Sequence, residues 1–468
     1  MDRVHFRSLQ ILAESGVRIY CDRALKLLEN RGAQVNWEQK VARIPSELVA
    51  EALHIAPHQF TLGARNSAFD YPMPSTGTRF CLDGTAAFAT DFETGERRYG
   101  SRQDNISAFR ILQKMDTAIM AWPPTCISES PASTRPLHEF FTMMEYSSRH
   151  GQHELHTVDQ VPYLVDGLKA VLGSEENIRQ GKQYSVIYCP VAPLSHDGPM
   201  LEAYLELGSL DVPVMVMPMP VAGTTGPASL FSTICLANAE FLSTLVVFEL
   251  DHPGRPLIFS SATGTVDFRS GGFLGGTPEM ALQSAALVQM GAYYDLPRTA
   301  AGCTSDAHQP GPEAVLEKII TTLPPILAGA DIVVGLGEIE GDQNLVLEQI
   351  VVDNEIAHQC LRLAKGVDSQ DAKDLYTEVV NVGPGGHFLA SKNTRLAPRT
   401  GEFHISDLLP RHTHDSWVEL GKPSMYDKAR TKVREILAEP LADPLPENIA
   451  GELSEILRKA DRKLAGTD

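Results

Sequence analysis

Two spacings of apolar residues divide this chain. From Phe80 onward, short apolar runs recur at Phe80–Leu82, Ala118–Trp122, Glu154–Thr157, Ser185–Cys189, Val212–Met217, Leu257–Ser261, Thr299–Cys303 and Ile332–Leu336. Stretches with helical spacing follow them in turn, at 104–115, 136–149, 160–172, 199–209, 227–250, 278–293, 312–328 and 345–365. Strands that alternate with helices predict a parallel sheet with right-handed crossovers. Eight such units over about 285 residues fit an α/β fold of the closed (β/α)8 TIM barrel type better than an open doubly wound sheet.

The flanks follow other patterns. Amphipathic spacing predicts helices over Val4–Ser15, Arg23–Arg31 and Pro45–Leu53, and Phe60–Tyr99 reads as short hairpins rich in Gly, Pro and Thr. Beyond Gly366 the repeat stops, and the stretches Tyr426–Ala438 and Pro446–Ala465 read as closing helices. The expected organisation is an N-terminal helical and hairpin cap over 1–79, a catalytic barrel over 80–366, and a C-terminal extension over 367–468 packed on the barrel.

Composition narrows the partners. The 468 residues carry a net charge of −19, which argues against nucleic acid and favours a cationic substrate. Seven cysteines without a CxxC pair argue against a disulfide framework and for a reduced cytoplasm. No apolar leader follows Met1, and no run of about 18 uninterrupted apolar residues predicts a membrane span.

In a parallel barrel, chemistry gathers beyond the carboxyl ends of the strands. The polar tips there include Asp83, His156, His196, Met219, Thr263, Asp306, His308, Glu338 and Glu340. Such a ring offers carboxylates to a cation and imidazoles for proton transfer. Asp306, His308 and Glu338 are the candidate catalytic residues. Asp83, His156, His196 and Glu340, with the aromatic residues Tyr188 and Phe273, are the candidates for holding substrate. An Asp or Ser before a helix also serves as a plain N-cap.

Two glycine-rich tips stand out. Gly271, Gly272, Gly275 and Gly276 do not form a phosphate loop, and Gly223 lies in a second small-residue turn. Together they predict a broad mouth open to a flat cofactor or a bulky partner. Cys81, Cys126, Cys189 and Cys303 fall near strand ends, but no pair has chelating spacing, so no metal is assigned.

Several stretches carry a family resemblance: Leu9–Val17, Arg43–Val49, Ala89–Arg98, Cys189–Leu194, Met217–Gly223, Gly276–Met280, Ser305–Pro310 and Val352–Glu355. They resemble the trimethylamine methyltransferase superfamily, specifically members without pyrrolysine, which include glycine betaine methyltransferases. The resemblance implies a (β/α)8 barrel that moves a methyl group from a methylated amine to the cobalt of a corrinoid carried on a separate small protein. It implies no cofactor bound tightly to this chain. In the pyrrolysine members a modified lysine handles the amine. This chain has none, so quaternary amines such as betaines are the expected substrates, because they need no adduct to become leaving groups. Phe88, Trp122, Tyr188 and Phe273 are candidate aromatic faces for the cation, and the histidines are candidate donors to a betaine carboxylate. A homo-oligomer is expected. The competing readings are a noncatalytic barrel that binds a cationic osmolyte or a corrinoid protein, and a zinc–thiol methyltransferase.

Overall fold

The computed structural model describes residues 1–466. Eight parallel strands form its centre: β1 (Arg79–Leu82), β2 (Ala118–Ala121), β3 (His150–His153), β4 (Tyr184–Tyr188), β5 (Val214–Val216), β6 (Leu257–Phe259), β7 (Thr299–Ala301) and β8 (Ile332–Leu336). Each pairs with its sequence neighbours, and β8 pairs with β1. A bridge between Phe259 and Arg298 joins β6 to β7, and the Phe259 N–H donates to Pro297 O at 2.8 Å, which closes the ring. The architecture is the expected (β/α)8 barrel.

The outer helices are α1 (Arg102–Leu112), α2 (Arg135–Tyr146), α3 (Val161–Leu172), α4 (Gly198–Glu206), α5 (Leu230–Asp251), α6 (Pro278–Tyr293), α7 (Pro312–Leu327) and α8 (Leu347–Ala364). One strand departs from the sequence expectation. β3 is His150-Gly-Gln-His153, four residues before the predicted run. Its polar side chains are all buried, and hydrogen bonds replace hydrophobicity there. His150 bonds Gly63 O at 2.8 Å and Ser185 Oγ at 2.8 Å, and His153 bonds Glu139 at 2.9 Å.

Cys81, Ile119, Ile187, Met215, Ile258, Ile332 and Val334 share one apolar cluster with Leu62, Tyr71 and Met73. The last three belong to the hairpin of Phe60–Leu62 and Tyr71–Met73. The Tyr71 hydroxyl donates to Asp331 O at 3.0 Å, just before β8 begins. The hairpin therefore plugs the amino-terminal end of the barrel, and a ligand reaches the interior only from the other end.

The N-terminal helices are Asp2–Glu14, Asp22–Asn30 and Ser46–Ile55, as the spacing predicts. The sequence reading missed a small sheet between them. Val17–Ile19, Gln34–Asn36 and Val41–Arg43 pair there with Ser195–His196 from the barrel. Strands of three residues are too short to establish a period of two. These helices pack on α5. By length and composition α5 could cross a membrane, but 78% of its most apolar window is buried inside the protein. At the far end of the chain, Met425–Ala438 packs on α8 and α1, and Glu447–Ala460 packs on α3 and α2.

Candidate active site

The carboxyl ends of all eight strands converge on one cavity of about 730 Å3. Its floor takes a residue at or just beyond each strand: Asp83, Trp122, Glu154, Cys189, Met217, Thr263, Ala301 and Val334. Phe273 and Gly275 come from one rim hairpin, Glu340 to Gln343 from the tip after β8, and Met219 and Met280 complete the wall. Among the described residues, four carboxyl groups line this space, those of Asp83, Glu154, Glu340 and Asp342, and no Lys, Arg or His side chain does.

Local backbone geometry builds the acidic side. Glu340, Gly341 and Asp342 all have φ near +60°, at 60°, 62° and 63°. For Glu and Asp this is a sparsely populated conformation, held where the surroundings over-determine it. Here the Gly341 N–H donates to Ser305 O at 2.8 Å and the Glu340 N–H to Ala307 O at 3.1 Å. The Gly337 N–H, where the tip leaves β8, donates to Asp353 Oδ2 at 2.7 Å. Lys318 is buried beneath the tip. Its ammonium donates to Asp353 at 2.9 Å, to Gly335 O at 3.2 Å and to Cys303 O at 2.5 Å, which ties α7 to the ends of β7 and β8.

The acids differ in electrostatic state. Burial pushes Asp83 up, against the Gly84 N–H. Burial, then the Asp83 charge, pushes Asp342 well above the carboxylate range. Glu338 sits behind them, fully buried, with no hydrogen-bond partner on either oxygen. Burial and then the charges of Asp83 and Asp342 hold its carboxyl far above its ordinary value. Glu154 behaves oppositely. Burial opposes its charge, but the hydrogen bond from His156 and the charge of His153 bring it below the ordinary value. Glu340 pairs with Arg97 at 2.9 Å.

The structure brings some expected residues to the cavity and removes others. Asp83, Glu340, Phe273 and Gly275 line it, as do Met219 and Thr263. His156 is exposed and reaches the site only through Glu154, at 3.0 Å. Asp306 accepts the N–H groups of Gly275 and Gly276 at 2.8 and 2.9 Å, so it shapes the glycine loop and caps no helix. Those two glycines are thereby bonded within the chain. Gly271 and Gly272 lie in an exposed turn, with open space around Gly271.

Four assignments need correction. Tyr188 and His196 do not line the cavity. They stack on each other deep between β4 and α5, where His196 bonds the Tyr188 hydroxyl at 2.9 Å and Ser243 at 3.0 Å. Tyr188 is the last residue of β4 and points outward, opposite to Cys189. His308 is exposed and lies outside the cavity lining. Gly223 is half-buried and lies outside the cavity lining, and a Cβ there would lie 2.5 Å from Val266. Among the aromatic candidates Trp122 lines the cavity, but the face of Phe88 is covered by the Arg97 guanidinium at 3.4 Å.

The sequence reading missed Asp342, which follows Glu340 by two residues, and Glu154, which was counted inside a strand. It also missed the Lys318–Asp353 pair, because nothing local connects two residues from successive helices. The cysteines near the strand ends do not assemble. Among the described residues no group of three or more His, Cys, Asp or Glu could hold a metal ion.

Comparison with known proteins agrees with the fold. The chain is 28% identical to trimethylamine methyltransferase MttB of Methanosarcina barkeri, over 99% of this chain and 94% of the relative. It is 26% identical to a glycine betaine methyltransferase of Desulfitobacterium hafniense, over 99% of this chain and 96% of the relative. The crystal structure of a hydroxylamine complex of MtmB covers 99% of this chain and 86% of its own, with a TM-score of 0.50 at 11% identity, a likeness of fold alone. The family described as trimethylamine methyltransferase (MTTB) matches residues 1–465, and the chain belongs to that family.

Proposed function

We propose that the protein moves a methyl group from a methylated amine cation, held in this cavity, to the cobalt(I) of a corrinoid carried by a separate protein. The observation that carries the reading is a concave site at the open end of the barrel, lined by four carboxyl groups and no cationic side chain. Such a lining attracts a positive charge and repels an anion. The indole of Trp122 and the ring of Phe273 add faces suited to an alkylammonium.

The names of the relatives, trimethylamine and glycine betaine methyltransferases, support an amine as methyl donor. A quaternary amine, a betaine among them, leaves as a neutral tertiary amine once its methyl is taken. When bound, the corrinoid supplies the nucleophilic cobalt that accepts the methyl. This chain's residues do the rest. Asp83, Glu154 and Asp342 hold the ammonium. Trp122, Met217, Met280 and Phe273 exclude water and leave one N–methyl facing the mouth. Glu338 and Asp306 set the field and the loop behind that face.

The mouth suits a flat partner. The lining residues Met219 and Phe273 are exposed there, near the open Gly271–Gly272 turn. A small corrinoid protein would lay its ring there. Exposed apolar residues on the C-terminal extension, including Tyr376, Leu389 and Phe403, support a homo-oligomer. Seven free cysteines suit a reduced, cytoplasmic setting.

The test is to mix the protein with a corrinoid protein reduced to cobalt(I) and a panel of methylated amines, and to follow methyl–cobalt absorbance. Conversion with at least one quaternary or tertiary amine is expected. Asp83→Asn should lower the apparent amine affinity by about tenfold or more, because a carboxylate facing the ammonium is lost and a quaternary nitrogen has no N–H to bond instead. No conversion with any amine would contradict the reading.

A further inference from the structure

Asp83 and Asp342 line the same cavity, and each keeps one buried oxygen, Asp83 Oδ2 and Asp342 Oδ1, without a hydrogen-bond partner. Two ionised carboxylates buried there without partners would repel each other with no free cation to offset them, so one of them carries a proton. Glu338 lies against both groups, buried and unpaired. The nearest cation, Lys318, is spent on Cys303 O, Gly335 O and Asp353. The other ionisable groups facing this corner already have partners. Glu154 is bonded by His156, Glu340 by Arg97, and Asp306 by two backbone N–H groups, with Glu317 and His308 nearby. The protonated state of the Asp83–Asp342 pair is therefore the natural state of the empty cavity.

We propose that the cavity exchanges a proton for its substrate: as an ammonium settles between Asp83 and Asp342, the proton they share leaves to solvent. The inference rests on the amine reading above. No bond of the amine changes in this step. One carboxyl O–H breaks, the proton goes to buffer, and the electron pair stays on the oxygen as a carboxylate facing the ammonium. The net charge of the buried corner is the same before and after, which avoids gathering uncompensated carboxylates there.

Burial already holds both carboxyls above their ordinary range when the cavity is empty. A bound cation pulls them down. Protons are then released on binding, so affinity rises with pH, by about tenfold per unit where the free pair holds its proton, and levels off above that range. Tetramethylammonium is the suitable probe, because it has no proton of its own to lose.

The experiment is calorimetric titration of the full chain with tetramethylammonium chloride at about pH 6 and about pH 8, in buffers of different ionisation enthalpy. The expected result is proton release approaching one per cation at the lower pH, with weaker binding there. Asp342→Asn offers an amide N–H to Asp83 and no exchangeable proton, so its binding should lose both the release and the pH dependence. Glu249→Gln, on α5 and outside the cavity lining, should keep the release. Binding with no proton release, or with uptake, overturns the exchange while leaving the amine reading intact. Loss of release in Glu249→Gln overturns the assignment to Asp83 and Asp342. Absence of binding at both pH values overturns the exchange and the amine reading together.

Discussion

Trp122 lies where it does because residue 84 has no side chain. A Cβ on Gly84 would come within 2.0 Å of the indole Cε2. The ring packs flat against this backbone and presents an aromatic face to the cavity floor. Gly84→Ala should push the indole off the floor. We expect a changed tryptophan emission spectrum and at least about a tenfold loss of amine affinity, from the cation–aromatic contact and the misplaced wall. The chain has three tryptophans, so the variant is best measured against Trp122→Phe in parallel. An unchanged spectrum and affinity would show that the backbone at residue 84 does not set the ring.

Residue-level reading of the sequence succeeded where a side chain follows a well-marked strand. Asp83 stands one residue past the apolar run Phe80–Leu82, and its place on the rim follows from that. It failed where orientation alternates within one tip. Tyr188 and Cys189 are adjacent, yet one faces α5 and the other the cavity. His308 looked like a catalyst and His196 like a substrate contact because histidine in a loop invites the idea. One is a satisfied core residue and the other is exposed.

At the scale of elements, two helices carry charge into the interior for different reasons. On α7, Lys318 ties the ends of β7 and β8 and neutralises Asp353 of α8. Removing the ammonium leaves a buried carboxyl without its partner, which typically costs about 3–5 kcal/mol. Lys318→Met should therefore lower the denaturant midpoint strongly, and Lys318→Met with Asp353→Asn should recover part of the loss. If the single variant is as stable as the wild type, the pair does not hold the tip.

On α5, Glu240 and Glu249 each accept one backbone N–H, from Leu194 at 2.9 Å and Gly254 at 2.8 Å, and each has an oxygen without a partner. Burial raises both to about 7. The unfolded chain sheds these protons near the ordinary glutamate value of about 4.3, so between there and about 7 only the folded state keeps them. Stability should therefore fall as pH rises through this range, by up to about 3 kcal/mol per group. Glu249→Gln should raise the thermal midpoint at about pH 8 and change it little at about pH 5. An equal effect at both values would mean that Glu249 is ionised in the folded state.

For the whole molecule, the barrel was legible because eight apolar runs alternate with eight helical stretches, so the repeat itself marks even three-residue strands. All eight strands exist, and only β3 was misplaced, because its burial is satisfied by hydrogen bonds. The N-terminal sheet and the acidic corner were not legible. The sheet is built from three-residue strands. The corner joins Asp83 to Asp342, far apart in the chain, and only closure of β8 against β1 brings them together.

The central claim is that this corner receives a methylated cation. Trimethylselenonium is isosteric with the head of such an amine and scatters anomalously at the selenium edge. A crystal soaked with it should show one selenium peak between Asp83, Glu154 and Asp342, above Trp122. A peak elsewhere on the barrel, or none while the cavity stays accessible in the crystal, would contradict the account.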